Sequence, residues 1–353
     1  MKNKSIITVA ACGAFLLALS LWCFFGAKET YSESERRVLA KFPQITWQTI
    51  TSGEFANGFE EYATDTFPAR DIWRSIKAYT SLGVLGQKDN NDIFLARGHI
   101  SKLEYPMNTS MLDHAIALFT QIKENYLGDN PVYFAMIPDK NKDLAQLKLD
   151  YPAFEKYMQE GLGFATPISI GDLLTPEDYY YTDTHWRQEK IIDVAQRLAE
   201  AMGVDISTEY TQETLDKPFY GVYAGQSALR CDPDTIVCLT NDTIAGLQVE
   251  GAAAVYDMKK ADSRDPYEMF LSGNQPVIKL TNPQNPQGKR LILFRDSFGS
   301  SIAPLLAEGY SEITLVDLRY INSQLLDRFV DFENADVLFL YSTILLNNSL
   351  AMK

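Results

Sequence analysis

The stretch that most constrains this chain is Leu291-Ile-Leu-Phe-Arg-Asp-Ser-Phe-Gly-Ser-Ser301. Four apolar residues end at the charged pair Arg295-Asp296, and Ser297 is followed by small residues and the apolar run Ile302 to Ala307. A short unbroken apolar run spells a strand buried on both faces, and the run after the serine can coil into a helix. The stretch therefore reads as strand, sharp turn and helix. In open α/β sheets, the carboxyl end of such a strand is the edge where ligands are held. Ser297 has two readings there. Its hydroxyl can cap the helix that follows, or it can act as a nucleophile beside the backbone N–H groups of Phe298 and Gly299, which at a helix start can hold a developing oxyanion.

The same rhythm recurs along the chain. An amphipathic helix over 113–126 places Ile116, Leu118, Phe119 and Ile122 at helical spacing and carries His114 near its start. Pro131-Val-Tyr-Phe-Ala-Met-Ile137 then reads as a buried strand ending at Pro138-Asp-Lys-Asn. After Ser297 come a strand at 312–316, a helix at 324–332 and a strand at 337–341. Regular alternation predicts an α/β fold with a doubly wound parallel sheet and right-handed crossovers. Between about 210 and 281 short Gly-, Thr- and aromatic-rich segments predict a β-rich insertion. Residues 55–63 and 72–82 read as packing helices on either side of Asp65-Thr-Phe-Pro-Ala-Arg70, and 92–102 as a small hairpin with His99 on its surface.

No charged residue stands between Lys4 and Lys28, and that 23-residue run is long enough to span a bilayer as a helix. Lys2 and Lys4 favour the cytoplasmic side, which places everything from Lys28 onward outside. The expected organisation is a transmembrane signal-anchor at 1–27, a stalk at 28–50 and an α/β domain at 51–353, held to the cell membrane by a single pass. A cleaved signal peptide is the competing reading; the apolar run is long for one and no small-x-small site closes it. A net charge of -14 without any long Lys/Arg cluster argues against a nucleic-acid partner and suits sugars or small acyl donors. Cys231 and Cys238 flank a turn-rich loop and suggest a disulfide in an oxidising compartment, with two buried thiols as the alternative. Nothing nearby completes a metal site, and no cofactor is expected.

The second focus is Tyr179-Tyr-Tyr-Thr-Asp-Thr-His-Trp186, leading into a helix from Gln188 to Met202 closed by Gly203. In extended backbone, residues two apart project to one side, so Asp183 can orient His185 through one ring nitrogen and leave the other available. That is the acid-and-base half of a hydrolase triad; the alternative is a capping aspartate beside a structural histidine. The chain has three histidines, His99, His114 and His185, so few residues can serve as an imidazole base.

Asp183-Thr-His-Trp186, followed by Arg295-Asp-Ser297, resembles the SGNH-hydrolase-like proteins of bacterial polysaccharide O-acetylation, the alginate acetylation family, and especially the DHHW family. Glu35-Arg-Arg-Val-Leu-Ala-Lys-Phe-Pro43, Asp65-Thr-Phe-Pro-Ala-Arg70, Phe219-Tyr-Gly, Phe270-Leu-Ser-Gly-Asn274 and Asp317-Leu-Arg-Tyr320 carry the likeness over most of the chain after the anchor. The resemblance implies a Ser297–His185–Asp183 triad in an order permuted relative to ordinary SGNH hydrolases. It further implies an acyl-serine O-acetyltransferase or esterase acting on a cell-envelope polysaccharide outside the bacterial membrane, with a membrane-bound O-acyltransferase as source of the acyl group. A non-catalytic carbohydrate-binding or scaffold protein of envelope assembly is the alternative. Two positions depart from the family pattern: Thr184 replaces the first of two adjacent histidines, and Arg295 stands where glycine is usual. Asn347, Arg319, Tyr320 and Asn274 are further candidates for oxyanion or substrate binding, each with a plain reading as a loop or cap residue. Tyr179 to Tyr181 and Trp186 are candidates for stacking on sugar rings.

Overall fold

The computed structural model describes residues 2–26 and 28–353; Met1 and Ala27 of the expected anchor lie outside the described residues. The chain divides into two compact units, one comprising the residues up to Asn91 with Ala224–Cys231, the other Asp92–Tyr223 with Asp232–Lys353.

In the first unit, helix α1 (Lys2–Phe25) contains Ser5–Cys23, 19 residues long and apolar enough to cross a membrane by length and composition. Further along, the helices Glu54–Asp65 and Arg70–Tyr79 meet at the predicted break. Asp65 at that break accepts two hydrogen bonds from the Arg37 guanidinium, at 2.8 and 2.6 Å, and one from the Ala40 N–H. The Arg37 bond holds the Asp65 carboxyl below its usual range against the opposing effect of burial.

The second unit is built on a seven-stranded sheet: β1 (Val132–Ile137), β2 (Thr166–Pro167), β3 (Gln248–Glu250), β4 (Val277–Thr281), β5 (Lys289–Arg295), β6 (Tyr310–Val316) and β7 (Ala335–Ser342), in the spatial order β2-β1-β7-β5-β6-β4-β3. The first five in that order are mutually parallel, and β4 and β3 add an antiparallel edge. The strands of the expected insertion are thus partly absorbed into the main sheet. Thr211–Thr214 and Val237–Thr240 form a separate antiparallel pair.

Period-two alternation along β5 divides the core. Leu291 and Leu293 face one apolar layer with helices α4 (Ile192–Met202) and α5 (Gly299–Leu306), while Ile292 and Phe294 face another with α2 (Thr109–Ile122) and α3 (Tyr151–Gly161). Helices on both faces explain why the central strands are continuous apolar runs. The register pairs Arg295 with Leu340 and Ser342 with Ile137, so Ser297, Thr343 and Asp139 all follow strand ends on one edge of the sheet.

Three local expectations are corrected. The helix expected from Gln188 begins as a 3-10 turn at Gln188–Lys190 and becomes α-helical only at Ile192, because the backbone leaves helical geometry at Ile191 (φ −118°, ψ 23°); the Gln188 side chain meanwhile bridges the Ser301 carbonyl and the Leu239 N–H. The segment expected as a helix over 324–332 is a 3-10 helix, Ser323–Arg328, in which Leu326 alone is fully buried among the apolar residues. Cys231 and Cys238 are not bridged. Cys238 is buried within the strand Val237–Thr240, and the chain between the cysteines runs extended, pairing Asp234 with Phe219 instead of closing a loop. Burial pushes the Cys238 thiol up to about 12, which keeps it protonated and inert.

Phe339 is fully buried and stacks on Phe119 at 4.5 Å and on Phe294 at 4.7 Å, joining β7 to α2 and β5. Phe339→Ala is expected to cost about 3–5 kcal/mol, read from urea titration of the full-length protein in detergent by tryptophan fluorescence.

Candidate active site

The segment Tyr179–Trp186 is a closed loop. Tyr179 pairs with Trp186, the Tyr180 N–H donates to the His185 carbonyl and the Arg187 N–H to the Asp178 carbonyl. Inside it, Asp183 and His185 are buried, with exposures of 1% and 9%. His185 Nδ1 lies 2.6 Å from Asp183 Oδ1, and His185 Nε2 lies 2.8 Å from Ser297 Oγ. A carboxylate accepts only, so Nδ1 carries the proton and Nε2 receives the serine hydroxyl. Ser297 does not cap α5, whose N-cap side chain makes no hydrogen bond; its hydroxyl is directed to the histidine. The structure therefore brings Asp183 and His185 together with Ser297, which follows His185 by 112 positions in the sequence.

Asp183 Oδ1 also accepts the His185 N–H at 3.0 Å, and Oδ2 accepts the Val222 N–H at 2.8 Å. Burial alone would raise the carboxyl, but the charge and ring hydrogen bond of His185 and these two N–H groups hold it well below the ordinary aspartate range. The imidazole stacks on Tyr267 at 3.8 Å and leans on Phe298 at 4.9 Å. Tyr267 Oη and Trp186 Nε1 both bond Ser301 Oγ, at 3.0 and 2.8 Å, so the aromatic wall is tied to the helix that follows the serine.

Two buried side chains that sequence reasoning passed over shape the loop. Lys140, after β1, points its ammonium at the carbonyls of Tyr180, Tyr181 and Asp183, at 2.8, 3.3 and 2.7 Å. Burial pushes it down to about 8, opposed by Asp139, Asp183 and Asp234. Asp234 accepts the Tyr181 and Thr182 N–H groups, each at 2.8 Å, and the Thr182 hydroxyl at 2.6 Å. Together they satisfy donors and acceptors of a loop buried from water. Pro138-Asp-Lys-Asn at a strand end was the signal for Lys140; nothing local marked Asp234 or Tyr267.

The other candidates are placed as follows. The Phe298 N–H donates to Asp296 Oδ1 and the Gly299 N–H to the Asp296 carbonyl, both at 3.1 Å, so neither is unspent in this geometry. Asn347 accepts the Asn108 N–H and donates to the Pro106 carbonyl, which ties down the 105–108 loop. Arg319 is committed to Asp317 through two bonds, 2.9 and 2.6 Å, and lies over the ring of Tyr320. Asn274 is exposed in a bend. Tyr179, Tyr180 and Trp186 are packed in the core, leaving Tyr181, 42% exposed, as the accessible ring of that set. His99, expected at the surface, is buried and stacks on Tyr181 at 4.4 Å; burial and the Lys140 charge push it down to about 4, so it is neutral. His114 Nδ1 is hydrogen-bonded to Ser349 Oγ. No group of metal-ligating side chains occurs among the described residues.

No protein-family profile and no curated protein matches the chain. Solved structures do. A DHHW family protein from Eubacterium siraeum is 20% identical with a TM-score of 0.61, covering 74% of this chain and 94% of that one. The chain has the fold of that DHHW-family structure. Bacillus cereus PatB1 is 17% identical with a TM-score of 0.57, covering 73% of this chain and 97% of PatB1, and it has also been solved with a sulfonyl adduct. The O-acetyltransferase domain of Pseudomonas putida AlgJ is 14% identical with a TM-score of 0.45.

Lys140→Met removes the ammonium from the buried Tyr180 and Asp183 carbonyls, while the Tyr181 carbonyl keeps the Ile100 N–H, and is expected to lower stability by roughly 2 kcal/mol or more, measured by thermal denaturation. Asp183 contributes one part of the pH dependence of stability. Its folded carboxyl is depressed, so its contribution is present above the unfolded value of 3.8 and is lost as pH falls through the lower folded value. The stability gap between the native protein and Asp183→Asn should hold from neutral pH to about 5 and shrink below that; a gap that widens on acidification would refute this account.

Proposed function

We propose that this protein is a membrane-anchored, extracytoplasmic serine O-acetyltransferase or esterase acting on a cell-envelope polysaccharide. The observation that carries the reading is the continuous hydrogen-bond chain from Asp183 through His185 to Ser297. It is supported by the fold shared with the DHHW-family structure and with PatB1, a protein also captured as a sulfonyl adduct. A scaffold protein has no need of such a chain, whereas acyl transfer requires each link of it.

In this mechanism His185 Nε2 takes the Ser297 proton as Oγ attacks the carbonyl of an acyl donor, and Asp183 stabilises the imidazolium that forms. The oxyanion collapses, the donor's leaving group departs with the proton from His185, and acetyl-serine remains. A sugar hydroxyl then gives its proton to His185 and attacks the acyl carbon, regenerating Ser297. If water attacks instead, the same steps make an esterase. Use of the Phe298 N–H for the oxyanion requires Asp296 Oδ1 to release it, while Asp296 Oδ2 keeps the Ser342 N–H. By the family resemblance, a membrane-bound acyltransferase supplies the acetyl group, and helix α1 tethers the chain to the same membrane.

Mass spectrometry of the full-length protein in detergent after exposure to an activated acetyl ester or to phenylmethylsulfonyl fluoride tests this reading. One acyl or sulfonyl group should map to Ser297 and be absent from Ser297→Ala. Ester turnover should drop on the order of 10⁴-fold or more in Ser297→Ala or Asp183→Asn. Absence of both adducts from the native protein would sink the proposal.

A further inference from the structure

Between Lys41 and Glu54 the chain carries no charged side chain, and its apolar residues face outward: Ile45, Trp47 and Ile50 are 66%, 80% and 50% exposed. The helix Trp47–Ser52 within this segment is six residues long and buries none of them. Its polar groups are nonetheless spent. The Thr46 hydroxyl accepts the Thr49 N–H, the Gly53 N–H closes the last turn, and the hydroxyls of Thr49 and Thr51 donate to the Gln44 and Trp47 carbonyls. An element without charge, whose hydroxyls are turned onto its own backbone, presents apolar surface and little that needs water.

We propose that the face made by Ile45, Trp47 and Ile50, with the rings of Phe42 and Phe59, is a second membrane contact, lying in the interfacial layer of the bilayer that α1 crosses. It is independent of chemistry at Ser297 and rests on the reading of α1 as an anchor. Contacts join the end of α1 to this face. The Lys28 ammonium donates to the Cys23 carbonyl of α1 and stands 5.7 Å over the ring of Tyr62. Tyr62 meets Phe42 edge-on at 5.3 Å, and Phe42 meets Phe55 at 6.3 Å and Phe59 at 6.1 Å. Ile45 follows Phe42 by one short step of chain, and the helix Trp47–Ser52 leads through Gly53 into the helix that carries Phe55 and Phe59. The exit of the anchor and the apolar face therefore lie together, at the level where tryptophan and other rings settle in a bilayer.

Charge is kept away from the face. Phe55, Phe59 and Tyr62 recur at helical spacing along Glu54–Asp65, and Glu60 and Glu61 are turned from that stripe by ~100° or more. Those two carboxylates line a separate cavity with Arg37, Asp65 and Arg70. Lys41 and Glu54, which bound the segment, are exposed and keep their charges in water. The contact is accordingly apolar, and it does not call for anionic lipid, which a chain of net charge -14 would repel. A second copy of the chain or a protein partner could cover the same residues, but α1 ties the bilayer alone to them.

Tryptophan emission of the full-length protein in phosphatidylcholine vesicles, with acyl chains plain or brominated, tests the contact. The difference between wild type and Trp47→Phe isolates Trp47, and that between wild type and Trp22→Phe isolates Trp22 in the anchor; both side chains are exposed, so neither change disturbs a core. Trp47 emission is expected at shorter wavelength than in water and about twofold or more weaker with brominated lipid. Raising salt from about 0.1 to about 1 M should leave the quenching unchanged, and Ile50→Lys, one turn along the same face, should abolish it. Water-like Trp47 emission without quenching, quenching lost in salt, or quenching that survives Ile50→Lys overturns the proposal. So does shielding of Trp47 that grows with protein density while bromine has no effect, the result expected of self-association. The anchor and the contact fail separately: quenching at Trp22 alone keeps the span and removes the contact, and quenching at Trp47 alone does the reverse.

Discussion

Asp183 is an ionised carboxylate in a place where water cannot solvate it, and the site's surroundings are arranged to satisfy that one charge. A buried charge without partners costs several kcal/mol, so three donors must be brought to two oxygens. Two come from His185 itself. The third, Val222, lies 39 residues away in sequence at 2.8 Å. To reach it the backbone passes so close at Gly221 that a Cβ there would sit 2.3 Å from the Asp183 Cβ, which explains a glycine in Phe219-Tyr-Gly. The Gly221 N–H is in turn taken by the Thr182 hydroxyl, itself bonded to Asp234. One electrostatic requirement thus determines residues on three separate segments.

A second constraint concerns the turn that bears the serine. Arg295 is 1% exposed, and burial lowers its pKa against the opposing charge of Asp317. A buried arginine immediately before the Asp-Ser pair is accommodated because its side chain runs beside Gly299, where an added Cβ would lie 2.5 Å from the Arg295 Cβ. The large residue and the missing side chain are one packing solution, and the turn keeps its path with Ser297 facing His185. Substitution of Gly299 alone would push the Arg295 side chain from its place beside the Ser297 turn.

Features legible in the sequence were those written locally. An apolar run of strand length, a serine at its end and an Asp-x-His pair two residues apart carry their geometry in their spacing, and the parallel sheet followed from regular alternation. What escaped was set by distant partners. Asp234 is one aspartate in a turn-rich segment until Thr182 is folded against its side chain, and its backbone pairing with Phe219 keeps extended the chain between Cys231 and Cys238 that spacing alone suggested would close. His99 read as a surface residue because its hairpin is short; only tertiary packing against Tyr181 buries it. Phe298 and Gly299 looked like open donors because a sequence does not say that Asp296 will fold back onto them.

Under the acyl-transfer reading proposed above, the packing around His185 bears on how the site would distinguish a sugar from water. With Tyr267 stacked on one side and Phe298 leaning on the ring, the imidazole is removed from bulk solvent, and its Nε2 edge is turned to Ser297. A cation formed there is stabilised by Asp183 and by the aromatic faces instead of by water. On the proposed reading, that base accepts a proton from whichever hydroxyl is positioned over the acyl-serine. Residence of the acceptor beside Ser297 then governs the outcome, because base strength acts equally on a sugar hydroxyl and on water, whereas positioning contributes effective concentration to the bound hydroxyl alone. Under that reading, the distinction between transferase and esterase moves from Asp183, His185 and Ser297 to the walls next to them.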